Sequence, residues 1–291
     1  MSKLAPSLKG LINAPFARPG QAPAPRQIRD IYQRIAQEAK DRNYGEKPWL
    51  TLSAAATFTL NSPASLTILH QFASGSAAPS PTSPVAAAEL IREVGLKCIS
   101  FNGIPRTINC LGAFRADLVA ASPPWLAELE TRPSRTVTPD NIAALSARGR
   151  ALWKSVYTPF DVKLEAKLAE SHPDLPVHIL GSHYGPLLSD PDAEAKRGLA
   201  SVGRNLTSVM AISCLRAQTG VGPQVLSHVF GLRKGVEQGT HRDEFRGQDE
   251  EAEAIERLAS DEGCEWILKS VDSISEAIGA SFAQGGRESK L

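Results

Sequence analysis

The stretch SFNGIPRTIN, residues 100–109, combines a turn sequence with side chains that are able to do chemistry. Asn102 before Gly103 is the pair that a turn needing a positive φ selects. Arg106 lies in the first turn of the next predicted helix, where it is either a solvated surface residue or a guanidinium that binds a carboxylate. Asparagine is a mediocre helix former, so we expect Asn109 to hold a buried polar partner. The stretch is therefore either a structural turn or part of an active site.

Carboxylates and histidines elsewhere in the sequence supply further candidates. Glu89 and Glu93 are spaced i,i+4 on the helix upstream, which is also typical of a solvated or ion-paired helix face. His228 lies on an otherwise apolar helix, which is also typical of a hydrogen-bonded packing histidine. A separate cluster consists of His172, His178 and His183. The spacing of this cluster is interrupted by prolines and does not fit a zinc site, so we predict neither a metal nor a cofactor.

The four cysteines form no Cys-x-x-Cys pair and no spacing typical of metal ligands. They are Cys98, Cys110, Cys214 and Cys264. A disulfide scaffold or a zinc site is therefore not expected. We expect all four to be free thiols, and Cys98 and Cys110 to be buried and of low reactivity.

Composition excludes two classes of partner. The 291 residues include 32 basic and 31 acidic side chains, for a formal net charge of +1, whereas a nucleic-acid-binding domain normally carries a basic excess. The sequence contains no run of eighteen or more apolar residues, so no membrane-spanning helix is expected. We predict neither nucleic acid nor membrane as a partner.

Most of the sequence has the apolar periodicity of helices, which predicts an all-α protein. Only residues 175–180, LPVHIL, resemble a short strand. Thr138 is the expected N-cap of one helix, and a break is expected near Gly263 in the helical segment 249–282. The Pro- and Ser-containing stretch that begins near Arg132 separates the two halves.

The predicted organisation is a flexible arm, two helical units and an exposed tail. These cover residues 1–27, 28–131, 132–284 and 285–291. The last three residues, Ser289, Lys290 and Leu291, match the address that the peroxisomal import receptor reads, although a chance tripeptide is the alternative. We predict a peroxisomal matrix protein, with mitochondrion or cytoplasm as alternatives; the prolines of the arm disfavour a transit helix.

Two segments of the sequence resemble one another. The stretches that begin at Trp49 and at Asn205 both read Leu-Thr, then small and apolar residues, a polar turn, a proline and a second helical pattern. The turn prolines are Pro63 and Pro223. This pattern predicts two helical hairpins, either through internal duplication or through independent origin, whose apolar faces cover each other.

The segment AAAELIREVGLKCISFNGIPRTINCLGAF resembles the carboxymuconolactone decarboxylase and alkylhydroperoxidase D-like family. Phe101, Gly103 and Pro105 stand at the positions of the family's turn, and His228 and Gly235 match its histidine-bearing helix. In the first half, Ile68 takes the place of that histidine. The resemblance implies a helical bundle of two pseudo-repeated units and a homo-oligomer.

The resemblance also implies which chemistry to expect. The peroxidase branch of the family uses a Cys-x-x-Cys pair and a histidine, but Asn102, Pro105 and Asn109 occupy these positions, so dithiol chemistry is absent there. The decarboxylase branch needs a cation and a general acid/base. Arg106 would hold the substrate's carboxylate, and the asparagines would contact the substrate.

Three hypotheses about function follow. In the first, the protein is an acid/base enzyme acting on a small carboxylated metabolite, with Glu89 or Glu93 as the base and His228 as the acid. In the second, it is a non-catalytic scaffold or ligand-binding member of the same fold. The third and least favoured is thiol-based reduction of peroxides through Cys98 or Cys110.

Overall fold

The computed structural model describes residues 3–192 and 200–279. Within these ranges the chain is helical and contains no β-strand, which confirms the predicted all-α class. None of the described helices combines the length and the apolar character needed to cross a membrane. The tail with Ser289, Lys290 and Leu291 lies outside the described residues.

The first half of the chain contains seven helices within the described residues. Helix α1 lies in the predicted arm and buries none of its residues. The arm's flexibility stays a prediction. The helices are α1 (Pro6–Ile12), α2 (Ile28–Asp41), α3 (Glu46–Thr59), α4 (Pro63–Ala73), α5 (Pro84–Lys97), α6 (Ile99–Asn102) and α7 (Ile104–Ala121).

Two 3₁₀ turns, Pro15–Ala17 and Pro124–Glu128, also precede residue 132, and the second half continues with helices α8 to α16. The segment α11 has π-helical hydrogen bonding. The helices are α8 (Ile142–Tyr157), α9 (Asp161–Ser171), α10 (Asp174–His178), α11 (Ile179–Leu188), α12 (Arg204–Gln218), α13 (Gly222–Glu237), α14 (Thr240–Glu244), α15 (Asp249–Leu258) and α16 (Asp261–Ile278).

Helices α3 and α12 form the centre of the molecule and pack against each other. In α3 every residue from 48 to 59 is buried, as is every residue from 205 to 215 in α12. A helix that is apolar or small on all sides belongs inside a larger core. Thr57 and Thr59 satisfy their hydroxyls by donating to carbonyl oxygens one turn earlier in α3. Buried apolar side chains from both halves form one core cluster, which includes Ile28 and Ile278.

The segments that resemble each other in sequence both fold as helical hairpins. Helices α3 and α4 form the first hairpin, and α12 and α13 form the second. Pro63 and Pro223 each lie within the first two positions of the hairpin's second helix. Proline is well tolerated there because the first amides of a helix have no intrahelical acceptor.

Two local predictions were wrong, and a third was displaced by a few residues. Residues 175–180 are helical, in α10 and α11, since a short apolar run does not distinguish a strand from a buried helix. Helix α8 begins at Ile142, because the Asn141 side chain accepts a bond from the Thr138 amide and closes a turn first. The break expected near Gly263 lies at 259–260, where the Ser260 hydroxyl caps α16 by accepting from the Gly263 amide at 3.1 Å.

Candidate functional site

The bend between α6 and α7 lies at the boundary between the two halves. Gly103 has φ 76°, as its place in the turn requires. Asn102 is buried, and its Oδ1 lies 3.1 Å from the Thr59 hydroxyl, whose proton is shared with the Ala55 carbonyl oxygen. The ring centroid of Phe101 lies 5.9 Å from that of His228 on α13. The bend therefore packs beside the second half's histidine helix.

Arg106 and Asn109 both contact the end of α3 and the turn that follows it. The Arg106 guanidinium donates to the carbonyl oxygen of Thr59, which no intrahelical amide satisfies. Burial lowers the pKa of Arg106 to about 10. Asn109 is exposed and donates to the Asn61 side chain at 3.3 Å, so the buried partner expected for it was wrong.

Glu93 is enclosed by cations. Its carboxylate accepts two bonds from Arg135, at 2.5 and 3.2 Å, and lies 3.9 Å from the Lys97 ammonium. Lys97 is itself fully buried and contacts Asp190 at 2.5 Å and the carbonyl oxygen of Val202. This arrangement matches the ion-paired alternative for Glu93, because its oxygens are committed to protein partners.

His228 belongs to a buried aromatic cluster. Its Nε2 lies 3.4 Å from the Tyr157 hydroxyl, which in turn accepts a bond from Tyr184 at 3.1 Å. Burial, reinforced by the nearby Arg204 cation, lowers the pKa of His228 to about 4. The imidazole is therefore neutral at pH 7, and a neutral imidazole is a weak proton donor.

Glu89 is 2 % exposed and uses only one of its carboxylate oxygens. Its Oε1 accepts from Arg92 at 2.7 Å and from the Glu130 amide at 2.9 Å. Its Oε2 has no hydrogen-bond partner among the described residues. Burial raises the pKa of this carboxyl group. A buried carboxyl group with a raised pKa is typical of an acid/base residue.

Glu89 lines a cavity of about 640 Å³, which we call the acidic cavity. It lies between the start of α3, helix α5, the start of α12 and the end of α14. Its polar lining comprises three carboxylates, one ammonium and neutral donors and acceptors. These residues are Glu89, Asp190, Glu244, Lys47, Thr82, Ser201 and Gln248.

Glu244 faces the acidic cavity from the second half of the chain. Its Oε2 accepts from the amide and the side chain of Asn205, at 2.9 and 2.6 Å, and thereby caps the start of α12. Its Oε1 is buried without a hydrogen-bond partner in the described part of the chain. A Cβ on Gly203 would lie 2.3 Å from this oxygen, so a larger residue there would force the Glu244 carboxylate to move. Burial raises the pKa of Glu244.

The acidic cavity thus gathers one predicted residue and several that sequence reasoning missed. Glu89 was predicted, whereas Asp190, Glu244 and Lys47 were not. Arg106 lies at the bend between α6 and α7 instead. Lys47 approaches the ring of Phe245 at 5.6 Å and makes a 3.5 Å contact with Gln248. The missed residues lie in loops and helix ends, where periodicity gives no signal.

The histidine cluster of the connecting segment packs locally. His183 Nδ1 lies 3.0 Å from the Ser100 hydroxyl, and the His178 and His183 rings are 5.4 Å apart. His172 Nδ1 accepts the Asp174 amide at 3.1 Å. No set of three or more His, Cys, Asp or Glu side chains in residues 3–192 and 200–279 is arranged to hold a metal ion.

Comparisons of the chain with protein-family models, with curated proteins and with solved structures found no match.

Proposed function

We propose that this chain is an acid/base enzyme that acts on a small carboxylated metabolite in the acidic cavity, by decarboxylation or a related reaction. One observation carries the proposal. Glu89 and Glu244 face the same cavity, each with a pKa raised by burial and one carboxylate oxygen without a hydrogen-bond partner. Enzymes use carboxyl groups in such surroundings to move protons near neutral pH.

Each group has a role in such a reaction. In a decarboxylation the bond to the carboxyl carbon breaks, the electron pair stays on the substrate as an enolate, and carbon dioxide leaves. The enolate carbon then takes a proton from a carboxylic acid, a role that suits Glu244 because burial raises its pKa. Glu89 is the proton acceptor in related reactions that begin by removing a proton. The Lys47 ammonium stabilises negative charge on the substrate.

The test is turnover of small carboxylates with a carbonyl group near the carbon that bears the carboxyl. A panel of 3-oxo acids and carboxylated lactones is incubated with the full chain, and release of carbon dioxide is measured. Glu89→Gln or Glu244→Gln should lower the rate by at least about 100-fold. The control Glu265→Gln, at a side chain that is 64 % exposed, should leave it unchanged. Full activity in both cavity variants would refute the proposal.

A non-catalytic role is the second candidate, and the bend favours it. Asn102 and Arg106 both bond to Thr59, and Glu93 is enclosed by Arg135 and Lys97. These groups hold helices together and leave no site at the bend itself. The panel distinguishes the two candidates: binding of a carboxylate in the acidic cavity without turnover would support a ligand-binding scaffold.

We also propose that the chain is a degenerate, two-unit relative of the carboxymuconolactone decarboxylase and alkylhydroperoxidase D-like family that forms a homo-oligomer. The proposal is supported by the turn sequence at Phe101, Gly103 and Pro105 and by the packing of hairpin α3–α4 beside hairpin α12–α13. Sedimentation of the purified chain tests the oligomer. A monomer at micromolar concentration would argue against it.

For localisation we propose the peroxisomal matrix, reached through the import receptor that reads Ser289, Lys290 and Leu291. A fluorescent protein fused to the start of the chain should collect in peroxisomes. Deleting the three residues should leave it in the cytosol. An organelle signal that survives the deletion would overturn the proposal.

A further inference from the structure

A second cavity, of about 410 Å³, lies between α9, the end of α8 and α13, away from the acidic cavity. We call it the lysine cleft. Its walls are apolar and include Phe160, Leu164 and Phe230. Phe160 is 63 % exposed and Phe230 is 52 % exposed. Large apolar side chains grouped around a cleft mark a place where an apolar ligand gains by leaving water.

Three ammonium groups border these apolar walls. Lys163 and Lys167 are spaced i,i+4 on α9, so they project from one face of that helix. Both are exposed, and neither forms an ion pair within the described ranges. Lys234 on α13 borders the cleft from the opposite side, with its Nζ 6.0 Å from the centroid of the Phe160 ring.

A fourth cation, Arg204, lies near Lys234 and repels it. Its guanidinium donates to the carbonyl oxygen of Ser155 at 2.7 Å. Burial lowers the pKa of Lys234, and repulsion from Arg204 lowers it further. Attraction to Glu237 and Asp161 offsets this decrease only in part. An anion placed beside Lys234 would be attracted by this lysine and by Arg204.

We propose that the lysine cleft binds an amphipathic carboxylate, a fatty acid of medium chain length, with its carboxylate on the lysines and its chain on the phenylalanines. Charge complementarity indicates this ligand. The apolar walls alone would accept any hydrophobic ligand, but the three ammonium groups favour an anion. Burial of each methylene adds to the affinity, so the chain supplies affinity and the lysines supply selectivity. The site is separate from the acidic cavity and does not depend on its proposed chemistry.

The test is calorimetric titration of the full chain with decanoate, below its micellar concentration. Decanol, decylamine and butyrate are the matched ligands, because they remove the charge, reverse it or remove most of the chain. Decanoate should bind with one-to-one stoichiometry and at least tenfold tighter than each of the others. Raising the salt concentration should weaken binding, since exposed charges are screened.

Variants locate the site. Lys163→Gln with Lys167→Gln should weaken decanoate binding roughly tenfold, because two charges at the mouth are lost. Lys9→Gln with Lys269→Gln removes the same charge from exposed lysines elsewhere and should leave the affinity for decanoate unchanged. Phe230→Ser should weaken decanoate and decanol alike, and circular dichroism checks that each variant folds. Glu89→Gln should leave decanoate binding intact, which separates this proposal from the enzymatic one.

Several results would overturn the proposal. Equal affinity for decanol and decanoate, or binding unaffected by the cleft lysines, would show that the cleft is an unselective apolar surface. A second result would be that the chain sediments with anionic phospholipid vesicles but does not bind free decanoate. If Lys163→Gln with Lys167→Gln abolished this sedimentation, the occupant would be a membrane surface. Dissociation of an oligomer by Phe230→Ser, again without decanoate binding, would assign the cleft to a second copy of the chain.

Discussion

The Sγ atoms of Cys98 and Cys214 lie 3.5 Å apart across the boundary between the two halves, with both side chains fully buried. Burial raises the pKa of Cys98, and the neighbouring thiols raise it further. Burial likewise raises the pKa of Cys110 to about 12, although Arg106 partly opposes it. Only the thiolate is reactive, and a raised pKa keeps these thiols protonated. These cysteines therefore serve mainly as packing residues.

The first prediction concerns these thiols. The native chain should react slowly with a thiol-specific chromogenic reagent, whereas the denatured chain should show all four cysteines at once. Any peroxide consumption should be unaffected by Cys98→Ser or Cys110→Ser, because buried thiols of high pKa are poor nucleophiles. Rapid reaction of native Cys98 or Cys110, or loss of peroxide reduction in these variants, would revive the thiol hypothesis.

The second prediction concerns the buried Lys97, which joins α5 to the segment before α12. Lys97→Met should lower the free energy of unfolding by about 3–5 kcal/mol, because it leaves Asp190 without its cation and removes one of the two cations beside Glu93. Denaturant unfolding measures the loss. Lys269→Met, at a side chain that is 71 % exposed, should change stability by less than about 0.5 kcal/mol.

A double variant separates the ion pair from simple packing. Lys97→Met with Asp190→Asn should be less destabilised than the sum of the two single changes, since the uncompensated carboxylate is gone. Strict additivity would mean that Lys97 contributes through its methylene chain, and the electrostatic explanation would then be wrong.

The sequence was a good guide to helices and a poor guide to their surroundings. Residues 28–41 form a helix because Ile28, Ile35 and Ala36 recur at the helical period, and this was predictable. Residues 175–180 were mistaken for a strand because six apolar and polar residues in a row fit either structure. The small and apolar residues of α3 and α12 indicate that these helices are central. Their mutual contact depends on the whole fold.

The site was less predictable than the fold. Glu89 stood out because it lies on a periodic helix near a recognisable turn. Glu244 gave no signal, because it belongs to a five-residue helix and its importance comes from meeting Asn205 and the acidic cavity in space. Arg106 was predicted either as a surface residue or as a carboxylate ligand, and its bond to a carbonyl oxygen at the end of α3 was not foreseen. Local chemistry indicates what a side chain is able to do, and packing decides which partner it meets.

The third prediction concerns the pH dependence caused by Glu244. Its pKa is raised in the folded state, so the folded chain holds this proton more tightly than the unfolded chain does. The group therefore contributes stability at low pH that is lost as the pH rises through its folded pKa. Glu244→Gln, whose amide oxygen still accepts from Asn205, should raise the Tm at pH 7 by about 2 °C.

The difference in Tm between wild type and Glu244→Gln should shrink toward pH 4, where the wild-type carboxyl group is also neutral. Thermal unfolding followed by circular dichroism across this range provides the measurement, with Glu265→Gln as the exposed control. A variant that is less stable at pH 7, or a difference that does not vary with pH, would show that the carboxylate is well stabilised in its cavity.

The last prediction concerns two helical glycines with opposite surroundings. Gly95 on α5 lies against the Phe58 ring of α3, and an added Cβ would come within 2.2 Å of it. Gly95→Ala should therefore cost about 2 kcal/mol through overpacking at the central helix. Gly112 on α7 has open space around it, so Gly112→Ala should stabilise the chain by about 0.5–1 kcal/mol through helix propensity. Urea unfolding of both variants compares them directly. If Gly95→Ala proved as stable as Gly112→Ala, α5 and α3 would not be in the close contact described here.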